Sequence, residues 1–140
     1  MKSSARNQLT GIIHSIEDCS GCHSIAVQCG EHLVYSHISP PAYRSLKPQI
    51  GQTAVLLFKA NAITLFTEIH PLRLSAENSL EARVEAIEQG AVNNIVRLRT
   101  DDGIPLAAAI TLNSSESLDI RAGQRITAVF LASQTMLAIL

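Results

Sequence analysis

The sequence predicts an all-β protein built from two tandem, five-stranded antiparallel barrels, each with a short helical turn. Three observations predict this fold class: an internal repeat, short runs of alternating apolar residues, and turn-forming residues between those runs. The chain has 140 residues, 46% of them hydrophobic and 4% aromatic, which is enough for one or two small domains. Because Trp is absent, we expect a core of Ile, Val, Leu and Ala.

The internal repeat covers almost the whole chain. Residues 4–18 align with 75–89 at a spacing of 71, with Ser, Ala, Asn, Leu, Ile and Glu at matching positions. After one inserted residue, 38–65 align with 110–137 at a spacing of 72. The predicted domains are a first barrel at 1–66, a linker at 67–74 and a second barrel at 75–140.

Apolar alternation predicts the same strands in each copy. The first copy has runs at 12–16, 24–28, 33–38, 53–58 and 62–66. The second has runs at 84–88, 95–100, 106–111, 126–131 and 135–140. The run 84–88 also fits a helix, and its repeat partner favours a strand. A single-turn helix fits between the third and fourth strands, at 42–46 and 115–118. Five antiparallel strands in about 65 residues suit an OB-like barrel.

Charge and hydropathy exclude several classes of protein. The net charge of −1 is too small for generic binding to a nucleic-acid backbone. The N-terminal ten residues contain no apolar stretch of the kind a secretory signal needs, and no run approaches the length of a membrane span. We therefore expect a soluble, cytoplasmic protein that binds neither nucleic acid nor membrane.

The string C-x-x-C-H at 19–23 is the attachment signature of a c-type haem. It aligns with 90–94, a loop between the first two strands, where a hairpin tip offers no pocket for a macrocycle. A metal site at Cys19, Cys22 and His23 is an alternative, but a second Cys pair is missing and Cys29 alone does not supply it. The preferred interpretation is a loop that tolerates small residues, with no metal, no covalent cofactor and no disulfide framework.

Four strings together resemble the molybdate-binding Mop domain, a TOBE-like family. They are SARNQLTG at 4–11, FKAN at 58–61, GAVN at 90–93, and T-x-x-S at Thr111 and Ser114. Two copies in one chain resemble the tandem Mop proteins known as molbindins, and also the sensor half of molybdate-responsive transcription regulators. The resemblance implies OB-like barrels, a homo-oligomer, and binding of molybdate or tungstate at subunit interfaces without chemical change.

The resemblance also implies ligand-binding residues. In the first copy the matching positions are Ser4, Arg6, Lys59 and the backbone N–H of Ala60; the hydroxyl wall is Thr111 and Ser114 in the second copy, reduced to Ser39 in the first. Molybdate is a tetrahedral dianion, so charge-assisted donors suit it and carboxylates do not. A weaker second anion site is implied at the loop Gly90, Ala91, Val92 and Asn93.

The second copy lacks the cations. Glu77 stands where the first copy has Arg6, and Leu131 where it has Lys59. A carboxylate ~4 Å from a dianion costs several kcal/mol at intermediate dielectric. Two arrangements stay open: the first copy supplies cations and the second the hydroxyl wall across a subunit interface, or the site is built from first copies alone with Ser39 as the wall.

The sequence therefore predicts an oxyanion carrier for storage or buffering, and no catalytic residues, since it contains no catalytic or nucleotide-binding motif. The alternatives are the sensing domain of a regulator and a degenerate, non-binding interaction module. A regulator needs a DNA-binding domain before Ser4, and Met1 lies three residues earlier, which favours the carrier. Asn7 and Asn78, equivalent in the repeat, are expected to make local turn hydrogen bonds.

Overall fold

The computed structural model describes residues 2–140; Met1, the first position of the predicted first barrel, lies outside them. The described chain forms two five-stranded antiparallel sheets with short helices between strands, which confirms the predicted all-β fold class. No helix in residues 2–140 has the length and apolar character required to cross a membrane.

The two repeats give the same order of elements. The first forms β1 (Asn7–Cys19), β2 (Cys22–Cys29), β3 (His32–Ile38), α1 (Pro40–Leu46), β4 (Thr53–Phe58), a 3-10 helix (Ala60–Ala62) and β5 (Thr64–Phe66). The second forms β6 (Asn78–Glu88), β7 (Asn93–Arg99), β8 (Pro105–Thr111), α2 (Leu112–Ser117), β9 (Arg125–Phe130), a 3-10 helix (Ala132–Gln134) and β10 (Met136–Ile139). The run 84–88 is a strand, as its repeat partner predicted.

Each α-helix begins at a capping hydroxyl. The Ser39 hydroxyl accepts a hydrogen bond from the Ala42 N–H at 3.2 Å, and the Thr111 hydroxyl accepts one from the Ser114 N–H at 3.1 Å. Such caps satisfy backbone donors that have no partner within the helix. The helices therefore begin two and three residues before their predicted starts.

The last strand of each repeat lies in the sheet of the other repeat. The first sheet has the order β10-β4-β1-β2-β3 and the second the order β5-β9-β6-β7-β8. Leu137 of β10 pairs with Leu56, and Leu65 of β5 pairs with Ala128. Each sheet therefore contains strands from both repeats. The predicted boundaries at 1–66, 67–74 and 75–140 describe the repeats of the sequence, and as domain boundaries they remain a prediction.

Two buried asparagines join the repeats reciprocally. The Asn7 side chain donates to the Ala107 carbonyl at 2.9 Å and accepts from the Ala107 N–H at 2.8 Å. Asn78 makes the same pair of bonds with Tyr35, at 2.9 and 2.8 Å. Both asparagines are 1% exposed. The expected local turn bonds are therefore wrong: each side chain pairs with the backbone of an edge strand in the opposite sheet, whose outer N–H and C=O groups need partners.

The core runs continuously through both repeats. Phe58 and Phe130, which the repeat makes equivalent, stack with ring centroids 4.4 Å apart. Both rings are 2% exposed and belong to one cluster of buried side chains from the two sheets. Aliphatic residues from β1, β2, β6 and β7 complete this cluster, as the composition predicted.

Asp102 adds a polar contact between the repeats at the β2–β3 turn. Its carboxylate accepts from the Glu31 N–H at 2.8 Å and lies 3.1 Å from His32 Nδ1, and the Thr100 hydroxyl donates to it. The hydrogen bonds from Thr100, from the Glu31 N–H and from His32 lower the pKa of Asp102 to about 2. The folded state therefore prefers the ionised carboxylate.

We expect Asn78→Ala to lower the free energy of unfolding by about 2–4 kcal/mol, because it leaves two buried backbone groups of Tyr35 without partners. Urea unfolding followed by circular dichroism measures the change. Asn113→Ala, at an exposed position in α2, is the matched control and should change the value by less than about 0.5 kcal/mol. Equal effects of the two substitutions would contradict the cross-repeat role.

We expect Asp102→Asn to lower the free energy of unfolding at pH 7 by about 2 kcal/mol, as follows from a pKa lowered from 3.8 to about 2. The Asp102 contribution is complete above the unfolded pKa and is lost as pH falls through the folded pKa. The difference in the free energy of unfolding between the variant and the parent should therefore decrease as the pH falls from 4 to 2. Asp119→Asn, at an exposed ion pair, is the control, and a gap independent of pH would refute the assignment.

Candidate functional site

A cavity of about 460 Å³ brings three of the predicted ligand residues together. Ser4, Ser39 and Lys59 all line it. The Lys59 ammonium donates a hydrogen bond to the Ser4 hydroxyl at 3.3 Å. These residues are far apart in the sequence, and the sheet places them side by side.

The first sheet positions each of these side chains. Lys59 directly follows β4, whose last residue, Phe58, pairs with Asn7 at the start of β1. The segment before β1, which carries Ser4, therefore passes beside Lys59. Ser39 follows the end of β3 and caps α1, so its hydroxyl is held at the rim of the same cavity.

The second repeat supplies the remaining polar wall. Because β10 pairs with β4, the 3-10 helix before it lies against the first sheet. Ser133, Gln134 and Thr135 line the cavity as a result. The repeat alignment did not identify these residues. It shows which positions of the two copies are equivalent, and it does not show that a strand of one copy lies in the sheet of the other.

The charge and polarity of the cavity suit an anion. Among the described residues that line it, Lys59 is the one charged side chain and none is acidic. Its apolar lining includes Ile38, Ala42, Leu46, Leu57 and Phe58. Within residues 2–140 no acceptor bonds the N–H of Ala60, which follows Lys59. An ammonium, several hydroxyls and an N–H without a protein acceptor beside an apolar surface form a donor-rich site that is open to solvent.

Arg6 lies outside this cavity. Its side chain lines a separate cavity of about 320 Å³ with Arg97 and Arg99. Its guanidinium is 4.0 Å from a Glu88 carboxylate oxygen, which Arg97 approaches more closely, at 3.2 Å. Arg6 is half exposed, so its weak ion pair leaves the guanidinium available to another group.

The hydroxyl pair of the second repeat also lies elsewhere. Thr111 caps α2 and its hydroxyl donates to the Ser114 hydroxyl at 2.9 Å, and neither residue lines the cavity of Lys59 within one chain. Within one chain Ser39 lines the cavity of Lys59, and both arrangements predicted from the sequence remain predictions.

In the second repeat a carboxylate bonds the N–H that is equivalent to that of Ala60. Glu77 accepts a hydrogen bond at 2.8 Å from the N–H of Ala132, the residue equivalent to Ala60. This bond, opposed by partial burial and supported by the nearby His37, lowers the pKa of Glu77. The repeat that has neither cation thus satisfies the equivalent N–H with its own side chain.

The loop predicted as a second anion site, residues 90–93, has one of its backbone N–H groups already hydrogen-bonded. The Gly90 N–H donates to the Asn94 side chain at 3.3 Å, so this donor is already engaged. Ala91, Val92 and Asn93 are exposed.

The C-x-x-C-H string forms a hairpin rather than an irregular loop. Cys19 ends β1, Cys22 begins β2, and their sulfurs are in disulfide contact across a two-residue turn. The expectation of cysteines merely tolerated in a loop is therefore wrong, because the two strands extend up to the turn and place both thiols on one face. The third position predicted for a metal, His23, points away and stacks on Tyr43 with ring centroids 3.9 Å apart.

Comparison with known proteins agrees with this architecture. The TOBE domain family matches the chain twice, at residues 3–65 and 74–137. The chain belongs to the TOBE domain family. The structure of the cytoplasmic molybdate-binding protein ModG with molybdate bound superposes with a TM-score of 0.96 at 29% identity, covering all of both chains.

Two relatives have related names. The molybdenum transport protein ModE of Herbaspirillum seropedicae is 34% identical over 140 residues, and the molybdenum-pterin-binding protein MopB of Rhodobacter capsulatus is 26% identical over 140 residues. Each alignment covers 99% of this chain and 52% of the relative. The chain thus spans about half the length of these curated relatives.

We expect the amide resonance of Ala132 to shift with pH as Glu77 titrates, with an apparent pKa below that of an ordinary glutamate. A series of two-dimensional NMR spectra between pH 2 and pH 7 measures the shift. The shift should disappear in Glu77→Gln and persist in Glu68→Gln, a control at an exposed position. A normal or raised apparent pKa would contradict the hydrogen bond.

Proposed function

We propose that this TOBE-family chain binds molybdate or tungstate in the cavity of Ser4, Ser39 and Lys59. It acts as an intracellular store or buffer of the oxyanion and is not an enzyme. The observation that carries this proposal is the cavity itself, where the Lys59 ammonium, 3.3 Å from the Ser4 hydroxyl, faces hydroxyls from both repeats and no lining carboxylate among the described residues. ModG, the structure with the same fold, was crystallised with molybdate bound.

The chemistry of a tetrahedral dianion explains the composition of this cavity. Such a ligand accepts hydrogen bonds on every oxygen and offers no donor. Lys59 supplies charge, Ser4 and Ser39 supply hydroxyls, and the Ala60 N–H supplies a backbone donor close by. Lys59 is exposed, so the ammonium exchanges its weak bond to Ser4 for a stronger one to the dianion.

Arg6 completes the charge balance in this proposal. One ammonium neutralises half of a dianion, and Arg6 holds its present partner loosely, at 4.0 Å. A homo-oligomer brings Arg6, or Thr111 and Ser114 of another copy, to the same ligand. Sedimentation at increasing protein concentration, with and without molybdate, tests for this assembly.

A second candidate function is the sensing half of a molybdate-responsive regulator. The observation that favours it is coverage, because the chain matches 52% of the length of the ModE proteins of Herbaspirillum seropedicae and Azotobacter vinelandii. Ligand binding would be the same in both cases, and the difference lies in a further DNA-binding part. Operator binding by the native gene product, measured with and without molybdate, separates the carrier from the regulator.

We expect Lys59→Ala to weaken molybdate binding by about 2–5 kcal/mol, because it removes the charge that lines the cavity, and Arg6→Ala to weaken it as much once the homo-oligomer brings Arg6 to the same ligand. Isothermal titration calorimetry with molybdate measures the loss. Glu77→Ala should leave the affinity unchanged, because it removes a carboxylate that does not line the cavity and no cation.

Three outcomes decide between the interpretations. Loss of binding in the Lys59 and Arg6 variants alone supports the proposed site, and equal losses in all three variants contradict the asymmetry between the repeats. Absence of molybdate and tungstate binding by the parent chain would show a degenerate interaction module instead.

A further inference from the structure

Two cysteines and a histidine, none of which lines the proposed oxyanion cavity, converge on the first sheet. Cys19 and Cys22 face each other across the turn between β1 and β2, and His37 lies on the neighbouring β3. Their ligand atoms, two sulfurs and an imidazole nitrogen, all lie within 4.8 Å of one another. All three residues are partly exposed.

The register of the strands explains why His37, and not His23, joins the cysteines. Ser24 pairs with His37, and Ser24 lies two residues from Cys22, so these side chains share one face of the sheet. His23 follows Cys22 directly and therefore points to the opposite face. There its Nδ1 is 2.9 Å from an Asp18 carboxylate oxygen, without hydrogen-bond geometry.

We propose that Cys19, Cys22 and His37, with the cysteines reduced, bind one Zn²⁺ ion. Two thiolates and an imidazole are the ligand types that zinc prefers, and a C-x-x-C pair at a tight turn has the spacing of zinc sites. The two thiolates neutralise the charge of the ion. Three protein ligands leave the fourth tetrahedral position open to water.

The hairpin accommodates both forms of the cysteine pair. A Cα–Cα distance of 5.0 Å allows the disulfide seen here. Rotation about the two Cα–Cβ bonds separates the sulfurs to the ~3.8 Å that two zinc–sulfur bonds of about 2.3 Å require.

The third cysteine, Cys29, is excluded as a ligand. It is buried in the core, and burial, reinforced by Asp102, raises the pKa of its thiol to about 11.

Zinc binding requires reduction of the disulfide. A phosphine supplies the two electrons: it attacks one sulfur, the S–S bond breaks, and water hydrolyses the phosphonium, giving a phosphine oxide and two thiols. Each thiol then releases its proton as it binds the ion. In the test the full chain is therefore reduced by a phosphine without oxygen, and zinc is added afterwards.

The first experiment titrates the reduced chain with Zn²⁺ in competition with a chromophoric chelator. We expect one zinc per chain, and substitution by Co²⁺ should give thiolate-to-cobalt charge-transfer absorption. Cys22→Ser and His37→Gln should each weaken zinc binding at least tenfold. The matched control, His23→Gln, should bind zinc as the parent does, although His23 is the histidine of the sequence string.

A second measurement keeps the proposal falsifiable if a variant fails to fold. In the NMR spectrum of the unaltered chain, zinc should shift the ring resonances of His37 and leave those of His23 in place. Failure of the reduced chain to bind zinc would overturn the proposal, leaving a disulfide alone. So would loss of zinc binding in His23→Gln with full binding in His37→Gln.

Discussion

The reciprocal pairing of the two repeats is the constraint on which the rest of the structure depends. Asn7 and Asn78 each satisfy the backbone of an edge strand in the opposite sheet, and β5 and β10 exchange sheets. Neither repeat forms a five-stranded sheet from its own residues alone, because one strand of each sheet comes from the other repeat. The stacked rings of Phe58 and Phe130 lie where the two halves meet, so burial of the core and pairing of the strands occur together.

This exchange also creates the candidate site. The cavity at Lys59 has one wall from the first repeat and another from the 3-10 helix that precedes β10. The second repeat has Glu77 and Leu131 at the positions equivalent to Arg6 and Lys59, and Glu77 accepts a hydrogen bond from the Ala132 N–H. The two halves therefore share one fold and differ in chemistry: the first has Lys59 and an Ala60 N–H without an acceptor in the described part of the chain, and in the second a carboxylate bonds the equivalent N–H. The second repeat contributes strands and polar lining residues to the cavity of the first.

Much of the fold followed from the sequence, because its signals are local. Apolar alternation located the strands, and the repeat identified 84–88 as part of β6. The exchange of β5 and β10 was not predictable, since a strand in either sheet has the same pattern of buried residues. The role of Asn7 and Asn78 was missed for the same reason, as their partners lie 100 and 43 positions away in the sequence. His37 was missed because strand register, and not sequence adjacency, sets its neighbours.

The central claim is that an oxyanion binds beside Lys59 in a cavity formed by both repeats. Anomalous diffraction from crystals soaked in tungstate tests it most directly, because tungsten locates the ligand without reference to any variant. The account predicts a peak within hydrogen-bond reach of the Lys59 ammonium and the Ser4 hydroxyl. A peak beside Glu77 instead would contradict it. So would the absence of a peak when ModG crystals soaked under the same conditions hold tungstate at high occupancy.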